Sequence, residues 1–311
     1  MEVPDVIVIT GPTATGKTAL GALLAKTING EVVSADSMQV YRHMDIGTAK
    51  PAESGMLGVP HHMIDIVTPP EEYSVARYIS DAARCIEDIL SRGKRPVLVG
   101  GTGLYIDSLL SGRSFQARGD AALRRELEIE YDRAGGEEMI SVLGGFDPES
   151  AARLHSNDKK RIVRAMEVYR TTGNTISQHD RETRSLPPRY DSVKFALTFS
   201  DRSVLYRRIG MRVDAMLAAG LEDEVRGLLE TGVPSGCTAM KAIGYKEMAE
   251  AILGKADMDD AVDRIKRESR RYAKRQLTWL RRDAGVNWIT WEDEPDMEGG
   301  VRHIRDSVFG V

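Results

Sequence analysis

Gly11-Pro12-Thr13-Ala14-Thr15-Gly16-Lys17-Thr18 satisfies the pattern G-x-x-x-x-G-K-[ST] and follows an apolar run, Val6-Ile7-Val8-Ile9. The run reads as a buried strand, and Leu20, Leu23, Leu24 and Ile28 then recur at helical spacing. A strand, a glycine-bounded loop and a helix in this order make a phosphate site. The loop's backbone N–H groups turn around an anion, Lys17 adds a point charge, and Thr18 can hold Mg²⁺. The helix presents its positive end to the same place. Gly11, Thr13, Ala14, Thr15, Gly16, Lys17 and Thr18 are therefore the expected phosphate-binding residues, although the loop alone does not say whose phosphate it holds.

Working outward, residues 31–36 read as a second strand ending in Asp36, and residues 62–67 and 95–101 as two further short apolar runs stopped by turn residues. Between the last two, Val75, Ile79, Ala82, Ala83, Ile86, Ile89 and Leu90 mark one face of a helix. Alternating strands and helices predict an α/β fold, a P-loop parallel sheet flanked by helices. Ligands of such sheets collect at the carboxyl ends of the strands, where the P-loop, Asp36 and Gly101-Thr102-Gly103 converge. From residue 115 the character becomes helical until Pro187-Pro188, and strand character returns at residues 193–199. Three segments are expected: 1–114 as the first part of the core, 115–192 as a helical insertion, and 193–311 as the second part, with basic C-terminal helices. A single long helix is expected over residues 203–231, with Arg208 and Arg212 on one face.

Of the 311 residues, 43 are Lys or Arg and 47 Asp or Glu, a net charge of −4 that argues against general nucleic-acid stickiness. The distribution differs from the sum. Arg264, Lys266, Arg267, Arg270, Arg271, Lys274, Arg275, Arg281 and Arg282 face a single acid, Glu268, with Tyr272, Gln276 and Trp279 interleaved. A basic stripe with aromatics on an acidic protein fits RNA as well as it fits a solvated helix face. No run approaches the roughly 18–20 apolar residues that span a bilayer, and no secretory signal pattern opens the chain. A cytoplasmic monomer without a membrane partner is expected. Cys85 and Cys237 lie in no metal-ligand pattern.

For phosphoryl transfer one expects an apolar strand ending in a magnesium-holding acid, and Ile64-Asp65 is the only tolerable candidate. Asp36 is better placed as chemistry, since a carboxylate beside the P-loop strand can accept a proton from a nucleophile held near the phosphates. Thr102 can hydrogen-bond a phosphate or a transferring group.

Further segments align with these. Asp36-Ser37-Met38-Gln39-Val40-Tyr41, Asp45-Ile46-Gly47-Thr48-Ala49-Lys50-Pro51, Gly100-Gly101-Thr102-Gly103-Leu104-Tyr105 and Tyr272-Ala273-Lys274-Arg275-Gln276, together with the P-loop, resemble the bacterial tRNA dimethylallyltransferases (tRNA isopentenyltransferases). Asn157-Asp158-Lys159-Lys160-Arg161 and Lys241-Ala242-Ile243-Gly244-Tyr245-Lys246 extend the resemblance over nearly the whole chain. It implies transfer of the dimethylallyl group of dimethylallyl diphosphate to the exocyclic amine of the adenosine 3′ of a tRNA anticodon, with Mg²⁺ on Thr18. On that implication Asp36 takes the amine's proton. Lys17, the P-loop amides and Arg212 stabilise the departing diphosphate, and Thr102 positions it. The anticodon stem-loop is then the partner. Asp36, Ser37, Met38 and Gln39 meet the extruded base, and Lys160, Arg161, Arg164, Lys241, Tyr245, Lys246, Arg270, Lys274 and Arg275 grip the RNA. Ser269-Arg270-Arg271 departs from the family's usual Thr-Arg, and no Cys/His cluster provides the zinc finger of eukaryotic relatives. Rival readings are a free-nucleotide prenyltransferase, a small-molecule kinase and a non-catalytic RNA-binding protein.

Overall fold

The computed structural model describes residues 3–112 and 120–310. They divide into two compact units, Met1–Leu110 with Tyr190–Val311, and Ser111–Arg189. The expected boundary at residues 114 and 115 lies outside the described residues, and the second division falls at Arg189, a few residues ahead of the expected 192.

In the first unit the chain runs β1 (Val6–Thr10), α1 (Lys17–Thr27), β2 (Gly30–Ser34), β3 (His61–His62), α2 (Val75–Ser91), β4 (Arg95–Val99) and α3 (Gly103–Leu110). The second unit is helical: α4 (Ala121–Ala134), α5 (Gly136–Gly144), α6 (Pro148–Arg153), α7 (Lys159–Thr172) and α8 (Ile176–Arg184). The first unit then resumes with β5 (Ser192–Phe199), α9 (Arg202–Ala218), α10 (Leu221–Glu230), α11 (Tyr245–Ile252), α12 (Met258–Leu280), β6 (Val286–Trp291) and α13 (Met297–Phe309).

The six strands form one parallel sheet in the order β3-β2-β4-β1-β5-β6. Central β1 is buried along its whole length, as a strand covered on both faces must be. Its Ile7 and Ile9 share a core with Leu20 and Leu24 of α1 and with Val301 and Ile304 of α13. Val6 and Val8 alternate to the opposite face and are equally buried, so helices cover both sides. Tyr78 of α2 stacks on Tyr105 of α3 at 4.0 Å and donates its hydroxyl to the Ser34 carbonyl at the end of β2.

Two expectations are corrected. The strand read over residues 62–67 is only His61–His62, because Met63 and Asp65 take left-handed φ values of 65° and 56° that break an extended chain. The rest of that segment bonds instead to the turn at Gln39 and Val40. The single helix read over residues 203–231 is two helices: Gly220 sits at φ 96°, a conformation suited to glycine, and α10 restarts with Glu222, Asp223 and Glu224 at its positive end.

In the second unit Leu127, Met139, Ile162, Val163 and Met166 form a small core. Beside them the fully buried Glu167 is paired with Arg124 at 3.0 Å and Arg164 at 2.8 Å. Burial alone would raise its carboxyl pKa, but hydrogen bonds from the two guanidinium groups outweigh burial and lower it.

In the first unit the corresponding feature is Glu31 of β2, whose side chain is 2% exposed. It receives Arg92 at 2.5 Å, Lys94 at 2.7 Å and His62 at 2.8 Å, tying β2 to β3 and to the turn before β4. Hydrogen bonds from Arg92 above all, then Lys94 and His62, hold this carboxyl well below the usual carboxylate range against the cost of burial. A depressed folded-state pKa gives stability that is present above the unfolded carboxyl pKa and lost as pH falls toward the folded value. Glu31→Gln is expected to cost about 1–3 kcal/mol at neutral pH, with the gap from wild type closing below about pH 4. Urea unfolding followed by tryptophan fluorescence across pH measures both, and a pH-independent gap would refute the ionic origin.

Candidate active site

Because all strands are parallel, their carboxyl ends lie on one edge of the sheet, and three loops there form a crevice. After β1 comes the P-loop, in which Ala14 (φ 67°) and Gly16 (φ 89°) interrupt ordinary backbone, the alternation that aims successive N–H groups at an anion. Lys17 Nζ rests on the Pro12 carbonyl at 2.8 Å, and Thr15 is fully buried with its hydroxyl on the same carbonyl. Thr18 lines the crevice from the first turn of α1.

After β2 comes Asp36, whose Oδ1 accepts the N–H groups of Met38 (2.9 Å) and Gln39 (3.3 Å). After β4, the Thr102 N–H donates to the Ala35 carbonyl (3.1 Å), and Thr102 Oγ1 accepts the Ser37 N–H (3.1 Å). The second and third loops are thereby joined at the residues flanking Asp36.

Arg212 enters from α9 and Tyr272 from α12, and both line the crevice with Thr13, Lys17 and Asp36. Burial, and next the nearby Arg212 charge, push the Lys17 ammonium down to about 7, with Asp36 opposing. Burial also lowers the Arg212 pKa, again against Asp36. The Tyr272 phenol is pushed up to about 12, first by burial and then by Asp36. Arg208, one turn before Arg212, donates to the Ala14 carbonyl (3.3 Å) and pairs with Glu294 (2.5 Å). Of the two arginines, Arg212 is the one that lines the crevice.

A second, wider cavity opens from the first and shares Thr13, Asp36, Thr48, Arg212 and Tyr272 with it. Its walls are largely apolar, including Met38, Ile209, Val213, Met216, Ile243 and Ile265, and Lys241 and Arg275 line it too. The structure thus gathers Asp36, Ser37, Met38, Lys241 and Arg275 around one space. Arg270 and Lys274 lie on α12, and Lys246 lies on α11, which packs against it. Lys274 and Lys246 are exposed, with Lys246 4.0 Å from Glu250, and Arg275 lies 5.6 Å over the Tyr272 ring. In the other unit Lys160 and Arg161 are exposed, with Arg161 3.8 Å from Asp158.

Three expected RNA-binding residues have other work. Tyr245 is fully buried, and its hydroxyl donates to Glu224 Oε1 at 2.5 Å. Glu224 also accepts the N–H groups of Asp45, Ile46 and Gly47 at 2.7, 2.8 and 3.1 Å, so Tyr245 braces the loop that supplies Thr48 to both cavities. Gln39 spends its amide inside the same loop, accepting from Ser34 and donating to the Thr48 and Ala49 carbonyls. Arg164 is engaged by Glu167. Asp65 pairs with the largely buried Lys50 ammonium and does not line the crevice, which argues against it as a magnesium ligand.

Sequence reasoning missed Glu224, and it used Tyr272, Gln276 and Trp279 as company for cations, the first two also as part of a resembling motif, without giving any of them a role of its own. Their spacing of four and three is one helical face. That face turns toward the crevice loops: Gln276 bonds the P-loop, and Trp279 Nε1 donates to Asp107 at 2.7 Å.

As to cations, among the described residues no three or more His, Cys, Asp or Glu cluster together, as a self-contained zinc or calcium cage requires. A lone hydroxyl at a phosphate loop suits Mg²⁺, which keeps its waters and takes phosphate oxygens as ligands.

Comparison with known proteins agrees with this geometry. Residues 39–283 match the family model described as IPP transferase, and residues 4–66 match isopentenyl transferase. The chain is 49% identical to the tRNA dimethylallyltransferase of Desulforudis audaxviator over 98% of each chain. It is 48% identical to that of Acetivibrio thermocellus over 99% of each. Among solved structures it resembles the tRNA isopentenylpyrophosphate transferase of Bacillus halodurans, with a TM-score of 0.74 and 42% identity, covering 98% of this chain and 95% of that one. It also resembles a eukaryotic dimethylallyltransferase acting on tRNA, with a TM-score of 0.79 and 30% identity, covering 98% of this chain and 76% of that one. A P-loop crevice flanked by Asp36 and Arg212, together with matches along nearly the whole chain, places it in one group: the chain belongs to the IPP transferase family.

Proposed function

We propose that this chain is a tRNA dimethylallyltransferase. It moves the dimethylallyl group of dimethylallyl diphosphate to the exocyclic amine of the adenosine 3′ of the anticodon and releases diphosphate. The observation that carries the reading is the sharing of Asp36 and Arg212 between two cavities. One is a phosphate crevice, and the other is a wider, partly apolar space lined by Lys241 and Arg275. An acceptor entering the wide cavity meets the diphosphate at Asp36.

As the C1–O bond of the donor lengthens, charge builds on the diphosphate, and the P-loop amides, Lys17 and Arg212 meet it. The allylic carbon becomes cationic, the adenine nitrogen forms the new C–N bond, and its proton passes to the Asp36 carboxylate. Thr18 would hold Mg²⁺, which would supply Lewis-acid stabilisation of the leaving group. Thr102 Oγ1 accepts the Ser37 N–H and donates to Ser37 Oγ across a long 3.5 Å, a weak bond that its hydroxyl can exchange for one to the bridging oxygen. The adenine must leave the anticodon-loop stack to arrive there, and Ser37 beside Asp36 reads its edge. Lys160, Arg161, Lys241, Lys246, Arg270, Lys274 and Arg275 hold the phosphate backbone. The enzyme works as a cytoplasmic monomer. Among the described residues no helix is long and apolar enough to cross a membrane.

Purified protein incubated with Mg²⁺, labelled dimethylallyl diphosphate and either unmodified tRNA or AMP, without ATP, should label tRNA alone. Label on AMP would make it a free-nucleotide prenyltransferase, and ATP-dependent phosphorylation of a small molecule would make it a kinase. Asp36→Ala should retain tRNA binding and lose turnover by about 10²–10⁴; wild-type turnover would reduce Asp36 to its turn-forming hydrogen bonds. Lys274→Ala with Arg275→Ala should weaken tRNA binding and flatten its log–log salt dependence by roughly 0.7–0.9 per phosphate contact removed. An unchanged slope would return α12 to an ordinary solvated face.

A further inference from the structure

Gln276 sits in the second half of α12, 6% exposed, with both ends of its amide engaged. Its Oε1 accepts the N–H of Thr13 in the P-loop at 3.0 Å, and its Nε2 donates to the carbonyl of Gly101, after β4, at 2.9 Å. One side chain therefore bridges two of the three loops that build the crevice. The next residue, Thr102, accepts the Ser37 N–H and so carries the connection to Asp36.

The approach of α12 is close enough to dictate the residues beneath it. A Cβ at Gly101 would stand 2.2 Å from Gln276 Nε2, and one at Gly103 would stand 2.5 Å from the Trp279 ring. The same helix exposes Lys274 and Arg275, immediately before Gln276, and Arg275 lines the wider cavity.

The chemistry at this joint is selective. The Thr13 N–H demands an acceptor and the Gly101 carbonyl a donor. A carboxamide of this length supplies both, whereas a glutamate would supply only the first and a methionine neither. Hydrogen bonds weaken steeply outside a narrow window of distance and angle, so a shift of α12 by about an ångström would release the P-loop.

We propose that Gln276 is a positioning residue that couples the diphosphate cradle to the RNA-gripping helix, so that the two substrates bind with positive cooperativity. The proposal rests on the tRNA reading above. RNA that clamps α12 holds Thr13 and Gly101 in the geometry that receives diphosphate. By linkage, diphosphate in the cradle tightens RNA by the same factor.

The test measures, by calorimetry with Mg²⁺ present, the affinity of inorganic diphosphate with and without a saturating unmodified anticodon stem-loop RNA. Wild type should gain about fivefold or more in diphosphate affinity when RNA is bound. Gln276→Met and Gln276→Glu, each confirmed as folded by its thermal transition, should bring that ratio near one. Trp279→Phe keeps a ring on Gly103 and loses only the bond to Asp107, so it should keep the ratio.

A wild-type ratio of one would overturn the coupling while leaving the functional reading intact. So would an unchanged ratio in both Gln276 variants, or equal loss of the ratio in Trp279→Phe. Wild-type protein that binds diphosphate and no anticodon RNA would overturn the functional reading, and the coupling with it.

Discussion

Two half-buried cations held near a single carboxylate set the terms for the rest of this molecule. Lys17 and Arg212 repel each other in a low-dielectric crevice, and Asp36 compensates only in part. The three come from three segments, the P-loop, the end of β2 and α9, so no local structure can hold them together. Each is fixed by its neighbourhood: Lys17 on the Pro12 carbonyl, Asp36 by two amides, and Arg212 on a helix that Arg208 pins to the Ala14 carbonyl and Glu294. A diphosphate brought into that arrangement relieves the repulsion that folding created. The same donors then favour its departure as a leaving group, because charge on it grows along the reaction.

The walls are built by satisfying backbone amides. Glu224 accepts three consecutive N–H groups from residues 45–47 and the Tyr245 hydroxyl. Such a run of amides is an anion site, here filled by the protein's own carboxylate. Gln39 braces the same loop from within. On the opposite wall Gln276 does the equivalent for the P-loop and Gly101. Polar side chains carry these duties because the crevice lies where strands stop and their ladders no longer satisfy the main chain.

How much of this the amino-acid sequence discloses depends on whether the deciding partner is near or far along the chain. The P-loop, its strand and its helix are legible because one short segment holds all the required chemistry. Asp36 and Arg212 are legible as charges at a strand end and on a helix face. The roles of Tyr245 and Gln39 are not, because a polar residue in a motif looks alike whether it faces a ligand or a buried carboxylate. The partner of Tyr245 lies on another helix, and Gln39 folds back on the loop that follows it. The two-residue β3 is hidden by Met63 and Asp65, whose left-handed backbone no side-chain pattern announces. The break at Gly220 was in plain view, yet the apolar spacing runs across it undisturbed, since the two helices bury their faces in succession.

The strand order carries a consequence for how the chain is made. Synthesis delivers β1, β2, β3 and β4 first, and these four already form a contiguous half-sheet with β1 at its open margin. The strand that covers β1, Ser192–Phe199, follows only after the whole of Ser111–Arg189. At roughly 5–20 residues per second, the ribosome takes on the order of 4–16 s to cross that interval. Through that time one side of the apolar strand β1 lacks its native partner, so the helical segment between the halves sets how long that side waits for β5.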